Sequence, residues 1–131
     1  MYKKTDRPET ATESVEQQCL FRWAEWLAGQ HPQLRLMYHI PNEGKRTRST
    51  GARMKAEGLK AGVPDICLPV PHGPYHGLYI ELKAGNNTAT EKQEEWLAAL
   101  DAQGYFTAVC WGWEQAAKVI TKYLGVKEYE R

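Results

Sequence analysis

Apolar residues recur along this chain at two spacings, and the switches between them lay out its elements. From Thr12 or Ser14 to about Ala28 the spacing is helical, stopped by Gly29 and Pro32. On a wheel with Val15 at zero, Cys19, Trp23, Leu27 and Leu20 fall between about 40° and 140°. Glu16 lands in the middle of that face, at about 100°, where an unpaired carboxylate is costly to bury. The pattern predicts either a frayed first turn that still reaches water or a side chain aimed at a cation. Glu13, at the edge of the face, is the alternative. From Leu34 to Ile40 the spacing shortens to two, predicting a first strand ended by Pro41-Asn42-Glu43-Gly44. A second strand is predicted over Val63 to Val70 and a third over Leu78 to Lys83, joined by a turn rich in Pro and Gly. Thr90-Glu91-Lys92-Gln93 is a capping box. It opens a helix to about Gln103, with Gly104 as C-cap and Trp96, Leu97 and Leu100 as its buried stripe. Tyr105 to Trp111 reads as a fourth strand, and Glu114 to Leu124 as a final amphipathic helix.

Length and composition change this picture little. At 131 residues, one domain is expected, with a polar leader over 1–11, a body over 12–124 and a tail over 125–131. A hydrophobic content of 42% and a charged content of 25% are ordinary for a soluble protein. No apolar run follows Met1 and no stretch of eighteen apolar residues occurs, which predicts neither a signal peptide nor a membrane span. Cys19, Cys67 and Cys110 lack metal-ligand spacing, so they read as buried thiols in a reducing, cytoplasmic compartment. His72 and His76 sit among glycines and prolines, and read as a loop pair with no ligand role. Five Trp and seven Tyr are generous for this length, and part of that surface suits a subunit interface.

Net charge is only +1, so any surface for a polyanion has to be local. One such stretch exists. Lys45, Arg46, Arg48, Arg53, Lys55 and Lys60 face the single acid Glu57, a local net of +5. A solvated helix face is the plain explanation. Ser49, Thr50 and Gly51 beside these cations can present backbone N–H groups to phosphate, which favours a phosphate-contacting loop and short helix.

The chemistry is concentrated in Pro64-Asp65 and Glu81-Leu82-Lys83. The strand period of two puts Tyr79, Glu81 and Lys83 on one face, with Leu78, Ile80 and Leu82 turned to the core. A hairpin returns Asp65 beside Glu81, and two carboxylates held close repel unless a cation lies between them. Oxygen ligands suit Mg²⁺ or Mn²⁺, which polarise a phosphate oxygen and acidify a bound water. Lys83 is placed to orient that water or to neutralise developing charge.

These residues resemble the PD-(D/E)XK motif, and the order of elements resembles the restriction-endonuclease-like core, an α/β fold with a four-stranded mixed sheet flanked by helices. More narrowly, the chain resembles the VRR-NUC family. The likeness runs through Glu16-Gln17, Tyr38-His39-Ile40-Pro41-Asn42, Lys60-Ala61-Gly62-Val63-Pro64-Asp65, Tyr79-Ile80-Glu81-Leu82-Lys83, Thr90-Glu91-Lys92-Gln93 and Gly104-Tyr105, over roughly residues 13 to 124. It resembles the stand-alone members of phages and bacteria. The resemblance implies a metal-dependent endonuclease acting on branched or junction DNA, like Holliday-junction resolvases, as a homodimer. It implies that Glu16, Asp65, Glu81 and the main-chain carbonyl of Leu82 hold the metal, with Lys83 as the catalytic lysine and Gln93 as an active-site glutamine. Two competitors remain: a non-catalytic nucleic-acid-binding module that kept the fold, and a metalloenzyme for a small phosphoester. Clustered carboxylates argue against the first, and the basic stretch against the second.

Overall fold

A computed structural model describes residues 12–41 and 48–126. Lys45 and Arg46, the leader 1–11 and residues 127–131 of the tail lie outside the described residues. Helix α1 spans Glu13–Leu27, capped by Thr12, whose hydroxyl accepts from Val15 N at 3.1 Å. A 3-10 helix at Pro32–Leu36 leads into strand β1, Tyr38–His39, and helix α2 covers Arg48–Ala56. Strands β2 (Ile66–Leu68) and β3 (Leu78–Lys83) form a hairpin. Helix α3 (Glu91–Ala102), strand β4 (Phe106–Trp111) and helix α4 (Trp113–Leu124) complete the chain. The sheet runs β1-β2-β3-β4, antiparallel except for the β3–β4 pair, which is parallel because α3 serves as the crossover.

The core lies between the sheet and the α1–α4 pair. Leu20, Ala24 and Leu27 of α1 and Ala116, Ala117 and Ile120 of α4 pack with Ile66, Leu68, Leu78, Ile80, Leu82 and Cys110 of the strands. The alternation read in β3 is therefore the one that folds. Its other face is buried as well, with Glu81 1% and Lys83 6% exposed. Helix α3 opens on the expected capping box: Thr90 Oγ1 accepts from Gln93 N, and Gln93 Oε1 from Thr90 N. Of its stripe Leu97 is buried, while Trp96 and Leu100 are half-buried. Gly104 follows at φ +94°, and a Cβ there would meet the His76 ring at 2.8 Å.

Two strands are shorter than their patterns. The segment expected as a strand over Leu34 to Ile40 is a 3-10 helix followed by two strand residues. Pro32 at its first position presets φ, and Met37 N then bonds back to Leu34 O at 3.2 Å. The buried residues are Leu34 and Met37, three apart, while Leu36 stands 55% exposed. The working period is three rather than two. In β2 the ladder is confined to Ile66–Leu68, because Pro64 and Pro69 bracket it and neither can donate a hydrogen bond.

The cysteines and the histidine pair have structural places. All three cysteines are free, with Cys67 and Cys110 buried. His72 Nδ1 contacts Tyr123 O at 2.9 Å, and His76 stacks edge-on against Tyr105. Among the described residues, no helix is long and apolar enough to cross a membrane.

Candidate active site

The β2–β3 hairpin assembles the site. Ile66 pairs with Ile80, and continuing that register by one residue sets Asp65 opposite Glu81. Asp65 is fixed at both ends. Its Oδ2 accepts from Leu82 N at 2.8 Å, and its carbonyl accepts from Ile40 N at 2.7 Å. His39 Nδ1 lies 3.2 Å from the same carbonyl, which can only accept, so that nitrogen carries the proton. Glu81 Oε2 lies 3.6 Å from Lys83 Nζ, both side chains being buried. Glu81 Oε1 is buried with no hydrogen-bond partner among the described residues.

The electrostatics follow from that crowding. Burial pushes the Glu81 carboxyl up to about 9, and the charge of the neighbouring Asp65 adds to the rise. Lys83 pulls in the opposite direction, and Glu13 pushes upward again. One lysine thus faces three carboxylates, Glu13, Asp65 and Glu81, two of them deeply buried. An excess of negative charge with an orphaned oxygen fits a hard cation bound by oxygen donors. Among the described residues no three His, Cys, Asp or Glu side chains stand closed around a single point.

Beside Asp65 opens a pocket of about 220 Å³, lined by Glu13, Ser14, Gln17, His39, Asp65 and Leu82. Glu13, not Glu16, borders it. Glu16 is 4% exposed, as the wheel required, but its Oε1 accepts from Trp113 N at 2.9 Å. Helix α4 starts at Gly112, which has no side chain to cap it, and the Glu16 carboxylate satisfies one of its orphan amides. A cation was not the only partner open to a buried carboxylate; a helix N-terminus serves as well. Glu13 Oε2 meanwhile accepts from Asn87 Nδ2 at 3.2 Å.

The remaining candidates are dispersed. Gln93 is held at the third position of α3 by its bond to Thr90 N. Arg48, Arg53, Lys55 and Lys60 are all exposed, the first three on α2, which buries none of its residues. Sequence reasoning gave no role to His39, Ser14 or Gln17. The first two residues of the Tyr38-His39-Ile40 segment were the available signal, since a strand paired with β2 has to pass beside Asp65.

Glu16→Ala is expected to lower stability by about 1–2 kcal/mol, the scale of a lost helix cap, while Glu16→Gln keeps an acceptor and costs less. Glu13→Gln should leave the melting temperature nearly unchanged and weaken Mn²⁺ binding measured by calorimetry. A metal defect in Glu16→Gln with none in Glu13→Gln would return the ligand role to Glu16.

Comparison with known proteins places the fold in a family. Residues 11–113 match the VRR-NUC domain family. A solved structure described as a VRR_NUC domain protein superposes with a TM-score of 0.73 at 29% identity, over 92% of this chain and 93% of that one. Among curated proteins none matches.

Proposed function

The chain belongs to the VRR-NUC family of PD-(D/E)XK nucleases, and from that premise we propose that it is a Mg²⁺- or Mn²⁺-dependent endodeoxyribonuclease for branched or junction DNA. The observation that carries this reading is the orphaned Glu81 Oε1, buried beside Asp65 and Lys83 where the charge balance is negative. Asp65, Glu81 and the Leu82 carbonyl would hold the ion, with Glu13 as the helix carboxylate in place of Glu16. Bound there, the ion supplies an activated water and charge stabilisation at the phosphate.

The chain's own groups do the rest. Lys83, held at the end of β3, offsets the charge that grows on the phosphate oxygens. The hydrogen bond from Leu82 N orients Asp65, and the contact of His39 with the Asp65 carbonyl fixes the strand edge that presents it. Gln93 keeps its Oε1 on Thr90, so any part it plays falls to its amide Nε2. Arg48, Arg53, Lys55 and Lys60, with Lys45 and Arg46, hold the DNA backbone. A non-catalytic module gains nothing from burying Glu81 and Asp65 against a polyanion, which favours the enzyme. Free thiols support a reducing, cytoplasmic setting.

A four-way junction cut symmetrically needs two sites related by a two-fold axis, so the working form is a homodimer. The exposed Trp26, Leu36 and Tyr38 offer apolar surface for it. The test incubates purified protein with four-way, flap, duplex and single-stranded DNA in Mg²⁺, Mn²⁺ or EDTA, with its mass followed by light scattering. Metal-dependent cutting of branched DNA by a species of about 30 kDa, twice the 15.0 kDa chain, is expected. Undiminished cleavage in EDTA would refute the metal mechanism, and a monomer cutting junctions symmetrically would refute the paired sites.

A further inference from the structure

A second concavity, of about 450 Å³, lies between the end of α2 and the first turns of α3, lined by Lys55, Leu59, Lys60, Ala61, Lys92 and Trp96. Its size is in the range of small-molecule sites, about 300–1,000 Å³. Every charged residue that lines it is a lysine, in a protein whose net charge is only +1. The carboxylates of Glu91, Glu94 and Glu95, although on the same helix, are not part of the lining. Trp96 is half-buried, so its ring forms a wall of the cleft rather than part of the core.

The cleft is coupled to the catalytic strand by contact. Gly62, at φ +88°, approaches α3 so closely that a Cβ would sit 2.9 Å from the main-chain carbon and oxygen of Lys92. The segment that lines the cleft with Lys60 and Ala61 therefore packs on α3 at Gly62 and ends at Asp65.

We propose that this cleft captures one unpaired nucleotide of the substrate, with the base stacked on Trp96 and its flanking phosphates on Lys60 and Lys92. Stacking on an aromatic ring between cations is how single strands are held without regard to sequence, since every base has a π-face. Paired bases inside a duplex present no free face to Trp96. The cleft thus adds affinity for branched DNA that carries unpaired nucleotides, such as a flap, without excluding the fully paired four-way junction. This rests on the nuclease reading above and refines its substrate class.

The test measures binding by fluorescence anisotropy in EDTA, where no cleavage occurs, with a single-stranded oligonucleotide, a flap and a blunt duplex. Trp96→Leu should lose about tenfold affinity for the single strand and the flap and keep its duplex affinity, and Trp96→Phe should retain most of both. The double variant Lys60→Ser, Lys92→Ser should flatten the salt dependence for the single strand by about 1.4 in log–log slope, the release expected for two phosphate contacts. Equal affinity of Trp96→Leu and wild type for all three DNAs, or an equal loss on all three, overturns the proposal. So does an unchanged slope in the lysine variant, which decides the matter on its own if Trp96→Leu fails to fold. Wild-type protein that cleaves DNA while these variants behave as wild type would leave the nuclease reading standing and remove only the cleft. Wild-type protein that neither binds nor cleaves any DNA would remove both.

Discussion

Asp65→Asn and Glu81→Gln are expected to abolish metal-dependent cleavage while leaving a folded protein. Asn keeps an oxygen in place to accept from Leu82 N, so Asp65→Asn retains the 2.8 Å bond that orders the strand pair. What it loses is charge, and with it the ability to hold a cation. Asp65→Ala is the harsher variant, because it also leaves the buried Leu82 amide without its acceptor. Lys83→Ala should retain a trace of turnover, about 10²- to 10³-fold below wild type, the scale of losing one transition-state charge contact. Single-turnover rates on a branched substrate, with circular dichroism of each variant as control, make the measurement. Cleavage by Glu81→Gln within tenfold of wild type would place the reaction centre elsewhere.

Glu81 also sets how stability responds to pH. Its carboxyl titrates near 4.5 when unfolded and is pushed up to about 9 in the folded protein, first by burial and then by Asp65. Between those values the folded chain holds a proton that the unfolded chain has released. Stability of the metal-free protein should therefore fall as pH rises from about 5 towards 9, and level off below 4.5, where both states are protonated. Thermal melts in EDTA across this range should show the slope in wild type and a much flatter profile in Glu81→Gln, which is neutral throughout. At pH 8 the Gln variant should melt higher by about 5 °C, because it escapes the cost of drawing a proton onto Glu81 when the chain folds. Mg²⁺ should stabilise wild type more as pH rises, since the ion displaces that proton, and should do little for the variant. Parallel profiles for the two proteins in EDTA would refute the assignment.

Much of the site was legible because a hairpin obeys local rules. The alternation in Leu78–Lys83 and the proline-rich turn before it are enough to return Asp65 beside Glu81, and the register does so. Thr90 and Gln93 carry their capping box in four consecutive residues. The failures have equally definite causes. The apolar residues from Leu34 to Met37 satisfy a period of two and a period of three at once, and Pro32 decided for the second. The wheel identified Glu16 as buried, yet no wheel contains a partner on another helix. The available hint was that Gly112 cannot cap the helix it precedes. Lys92 and Trp96 looked like parts of a capping box and a core stripe, and only the fold turns them into walls of a common cleft with Lys60.

The bond between Glu16 and the Trp113 amide joins residues 97 positions apart. A contact that distant forms only after a large loop has closed, which is entropically slow compared with the local turns of either helix. During synthesis α1 emerges long before the residue that answers its carboxylate. Until α4 arrives, burying the Glu16 face of α1 against the sheet forgoes that amide, so water remains the better solvent for this stripe. The two helices are thus expected to dock together late, and unfolding to begin by their joint release. Because Glu13 sits one turn from Glu16, the pocket beside Asp65 acquires its helical wall in that same closing step.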